Sequence, residues 1–78
     1  MQEIEERIDK DVRMFDESVG ELEGTELDSA EQEVLGSAKN YRDDAVSWLG
    51  RRDLYTAFAS ISYAHGLLDA LRKLVKKR

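Results

Sequence analysis

Apolar residues recur along this chain at helical spacing. Ile4, Ile8, Val12, Phe15, Val19 and Leu22 follow one another at intervals of three and four. That is one narrow stripe, close to a heptad seam, and it predicts a first helix over about residues 2–22. A second stripe, Val34, Leu35, Ala38, Tyr41, Ala45, Trp48 and Leu49, predicts a helix over about residues 29–49. The third segment, about residues 54–76, carries two stripes. Leu54, Ala57, Phe58, Ile61, Ala64, Leu68, Leu71 and Val75 form one, and Ala59, Tyr63, Leu67, Ala70 and Leu74 form another. A helix apolar over so much of its circumference needs cover on more than one side. It is therefore either the central element of the fold or a meeting place with a second chain.

The connections carry their own signals. Gly24 suits a helix end, and Asp28 or Ser29 can cap the second helix, with Ser29 and Gln32 spaced as a capping box. Gly50 stands where a left-handed residue is expected to close the second helix. Arg51 and Arg52 then leave a very short turn before Asp53, a cap for the third helix. So short a turn forces the second and third helices into an antiparallel hairpin. The expected fold is all-α, a three-helix up-down-up bundle forming one domain over residues 1–78. Trp48 is expected to be buried against the third helix.

Composition bounds the class. The 78 residues are 41% hydrophobic and 37% charged, too apolar for a disordered tail and too charged for a membrane span. The opening MQEIEERIDK is acidic and periodic, unlike a secretory signal. Without cysteine there is neither a disulfide framework nor a thiolate metal site. These features suggest a small soluble cytoplasmic protein. A domain this short buries only about 60% of the surface its unfolded chain exposes, so association with another copy is a natural route to stability.

The net charge of −5 hides a polarity. Residues 1–33 hold 13 acids and 3 bases, a net of −10, while residues 34–78 hold 4 acids and 9 bases, a net of +5. An up-down-up bundle sets the acidic first connection (Glu21, Glu23, Glu26, Asp28, Glu31) beside the basic end of the third helix (Arg72, Lys73, Lys76, Lys77, Arg78). It also sets Arg51 and Arg52 beside Glu3, Glu5 and Glu6. Along the first helix, Glu3 with Arg7, Glu6 with Lys10 and Asp9 with Arg13 have the favoured i,i+4 order. The terminal RKLVKKR invites a nucleic-acid reading. A dipole-matched helix end explains it as well, and the acidity of the chain and lack of interleaved aromatics speak against phosphate binding.

Catalytic chemistry finds little support. His65, the only histidine, has Asp69 one turn away as a partner. No HExxH or ExxH motif supplies a zinc or di-iron site. HEPN-class helical ribonucleases place an arginine four to six residues before the histidine; here the nearest is Arg52, thirteen positions away. Glu3-x-x-Glu6 lacks the matching acid pair that all-α nucleotide pyrophosphohydrolases carry. No glycine-rich phosphate loop occurs. No catalytic, cofactor-binding or metal-ligating residue is assigned. Gly66 stands mid-helix, where glycine costs about 1 kcal/mol relative to alanine, and would allow close approach of another helix.

Two resemblances follow from particular residues. Ala57-x-x-x-Ile61-x-x-Ala64, preceded by Ala45, Trp48 and Gly50, is similar to the second half of a tetratricopeptide hairpin. A single hairpin implies a packing style and no peptide-binding array. Tyr41-Arg42-Asp43-Asp44-Ala45, Asp53 to Ala59 and Ile61 to Arg72, with Tyr63-Ala64-His65-Gly66-Leu67-Leu68-Asp69-Ala70-Leu71 the most specific part, resemble the archaeal domain-of-unknown-function 357 family. That resemblance implies a compact helical protein of unassigned activity and carries over no catalytic residue.

The leading functional expectation is a non-enzymatic interaction module that associates with itself as a homodimer or other homo-oligomer. It would use the third helix (Ala59, Tyr63, Gly66, Leu67, Ala70, Leu74) or the narrow stripe of the first. An unidentified protein partner is a further option. A regulatory or ligand-binding domain is the alternative, using Tyr41, Asp44, Tyr63, His65 and Asp69. An RNA-associated factor using the basic tail is the weaker one, and no membrane role is expected.

Overall fold

A computed structural model describes residues 2–77 of the chain. Three helices occupy almost all of it: α1 (Gln2–Leu22), α2 (Ser29–Gly50) and α3 (Leu54–Lys76). No strand occurs among the described residues. The bundle is 41 Å long and 17 by 16 Å in section. The pairing of α2 with α3 is the most extensive, and α1 lies chiefly against α3. The α2–α3 hairpin is thus a two-helix layer, and α1 covers one of its two faces.

The core follows the stripes. Ile8, Val12, Phe15, Val19 and Leu22 of α1 are buried, each side chain contributing about 1.5–3 kcal/mol. Small Ala38 and Ala45 of α2 let α3 approach closely, and Leu54, Ala57, Ile61, Ala64, Leu68 and Leu71 complete the core. The second stripe of α3 is left outside: Ala59 and Ala70 are exposed, Tyr63 and Leu74 more than half so, and Leu67 is half-buried.

The helix ends differ in detail from expectation. Gly24 does take a positive φ of 93°, ending α1. The cap of α2 is Asp28, whose side chain accepts the Glu31 N–H at 2.8 Å while the Glu31 carboxylate accepts the Asp28 N–H at 3.0 Å. This reciprocal pair replaces the box expected from Ser29 and Gln32. Carboxylates do better than a hydroxyl and an amide here because the helix N-terminus carries positive partial charge. Gly50 belongs to α2, and the left-handed residue is Arg52, at φ 66°. The Arg52 N–H donates to the Leu49 carbonyl and the Asp53 N–H to the Trp48 carbonyl, both at 3.0 Å. That is the paired pattern of a Schellman ending, with arginine at the position glycine usually fills. Asp53 caps α3 as expected, accepting the Thr56 N–H at 3.0 Å and its hydroxyl at 2.9 Å.

Cross-helix ion pairs match the charge polarity. Arg72 reaches Glu21 at 3.0 Å, and Arg52 forks onto Glu5 at 2.6 and 2.8 Å. Arg78 lies outside the described residues. Within α1, Arg7 reaches forward to Asp11 at 3.6 Å rather than back to Glu3. A further pair, invisible in the sequence, ties α1 to α2: Arg42 is bidentate on Asp16 at 2.8 and 2.9 Å. The Asp16 carboxylate, through that hydrogen bond, holds the Arg42 guanidinium above its usual pKa.

Candidate functional site

Two surfaces carry the residues singled out from the sequence, and they lie on opposite sides of the hairpin. The first is the seam between α1 and α3. His65 projects from α3 toward α1, where its Nε2 lies 2.7 Å from the Asp11 carbonyl. A carbonyl can only accept, so Nε2 carries the proton and donates. The ring meets Phe15 edge-on, with centroids 5.8 Å apart. The expected bond from His65 to Asp69 is therefore replaced by one to the backbone of α1, and the imidazole is a packing element of the α1–α3 seam. Asp69, Ser62, Met14 and Asp11 surround it in an open depression of about 320 Å³.

The second surface is the open face of the hairpin. Tyr41 of α2 and Tyr63 of α3 meet there edge-to-face, with centroids 4.6 Å apart. Helical spacing puts Val34, Tyr41 and Trp48 on one line of α2, and Ala59, Tyr63, Leu67, Ala70 and Leu74 on one line of α3. The tyrosine contact brings both lines to the same face. That this face lies away from α1 follows from where α1 is held: Arg42 of α2 and His65 and Arg72 of α3 all reach it from the other side. Val34, Trp48 and Leu67, half-buried against the core, form the floor of the open face. Tyr41, Tyr63 and Leu74 stand above them, 38%, 55% and 56% exposed. Trp48 is not enclosed as expected. It lies at the margin of the α2–α3 contact where no third helix reaches, and the Arg51 guanidinium lies 5.1 Å from its ring centre.

The five polar residues considered for a ligand site do not converge. Tyr41 and Tyr63 lie together on the open face and Asp44 is exposed on α2, whereas His65 and Asp69 line the α1–α3 depression. Gly66 of the candidate interface is exposed, and a Cβ there would meet nothing within 4 Å. Close packing inside the chain is thus not what requires glycine. Two other depressions carry mixed or basic charge. One of about 340 Å³ lies between α1 and α2, with Asp16, Glu23, Lys39, Arg42 and Asp43 in its wall. One of about 240 Å³ is formed by Asp69, Arg72, Lys73 and Lys76 near the end of α3. Among the described residues, no three His, Asp or Glu side chains gather to hold a metal ion. No helix among them is long and apolar enough to cross a membrane.

A small all-α bundle whose hairpin has one covered and one open apolar face is the class these features define. The family model described as protein of unknown function (DUF357) matches residues 10–76, and the chain belongs to that family. The matched segment begins within α1 and includes the whole α2–α3 hairpin, both sides of it. No curated protein matches the chain.

Proposed function

We propose that this protein is a non-enzymatic helical interaction module that associates with copies of itself. The observation that carries the reading is the open stripe of α3, where Tyr63 and Leu74 are 55% and 56% exposed beside exposed Ala59 and Ala70. Continuous with half-buried Leu67 and with Tyr41 across the groove, they form an apolar patch of a kind that soluble monomers seldom leave uncovered. The stripe of α1, the other surface considered, is spent in the core from Ile8 to Leu22. That favours α3 as the associating element.

Sedimentation equilibrium tests the proposal. The full chain is expected to approach twice its 8.9 kDa mass as concentration rises through the micromolar range. A mass that stays at the monomer value up to millimolar concentration would refute self-association.

A further inference from the structure

We draw no further inference here: the strongest candidate, the open apolar face of the α2–α3 hairpin around Tyr41, Tyr63 and Leu74, belongs to the surface already described for self-association, and nothing in the structure shows how a second copy would be oriented on it.

Discussion

The two sides of α3 each carry an apolar stripe, and the stripes meet different fates. On one side Ile61, Leu68 and Leu71 are sealed, and His65 and Arg72 are bound to α1. On the other, Tyr63, Ala70 and Leu74 face outward with no helix of the same chain over them. The difference lies in the number of helices. A hairpin has two faces, and a chain of three helices has only one helix left to cover them. Apolar periodicity on α3 therefore marks two surfaces, one that makes the fold and one that the chain's own helices leave open.

If that division is right, substitutions on the two sides should separate stability from association. The largest effect is expected at Phe15, fully enclosed beneath α1. Phe15→Ala should cost about 3–5 kcal/mol in denaturant unfolding, enough to leave so small a domain marginal. Next comes the cap between the two helices of the layer. Asp53→Ala removes the acceptor of the Thr56 N–H and hydroxyl, and the expected loss is about 1 kcal/mol by the same measurement. Smaller again is Arg52, where two effects oppose. Arg52→Ala keeps the left-handed backbone and loses the fork onto Glu5, while Arg52→Gly loses the fork but relieves the backbone. The glycine variant should be the more stable of the two by about 0.5–1 kcal/mol. Equal midpoints for these variants would show that the turn stores no such cost. On the open side, Leu74→Glu should change monomer stability by no more than about 0.5 kcal/mol. It should nonetheless remove association.

Much of the fold is legible in the sequence because periodicity reports which residues share a face. Ile8 to Leu22 recur at three and four and are buried together, and the double stripe of α3 corresponds to its central place. What periodicity does not report is the partner across a face. His65 has Asp69 as a neighbour four residues on, but a carbonyl of α1, 54 positions away in sequence, reaches it first. Arg42 gives no sign of Asp16, because only the tertiary fold brings α1 alongside α2 at that level. The turn signals mislead for a related reason. Ser29-x-x-Gln32 and Asp28-x-x-Glu31 are offset by one position, and the pair that carries charge forms the box. Gly50 is the better left-handed residue, but the reversal must sit directly before the Asp53 cap, so it falls on Arg52. Of the residues considered functional, the α3 stripe lies on one continuous surface, whereas the polar set of five is divided between two.

The account rests on the open face being a place where native copies bind one another. The most direct measurement is the thermal midpoint of the full chain across a hundredfold range of concentration, beside that of Leu74→Glu. Anything that binds only the folded state raises the midpoint by mass action. The wild-type midpoint should climb with concentration while that of Leu74→Glu stays level with the most dilute wild-type sample. A wild-type midpoint independent of concentration, or a Leu74→Glu chain that climbs in parallel with it, would contradict the assignment of this face to association.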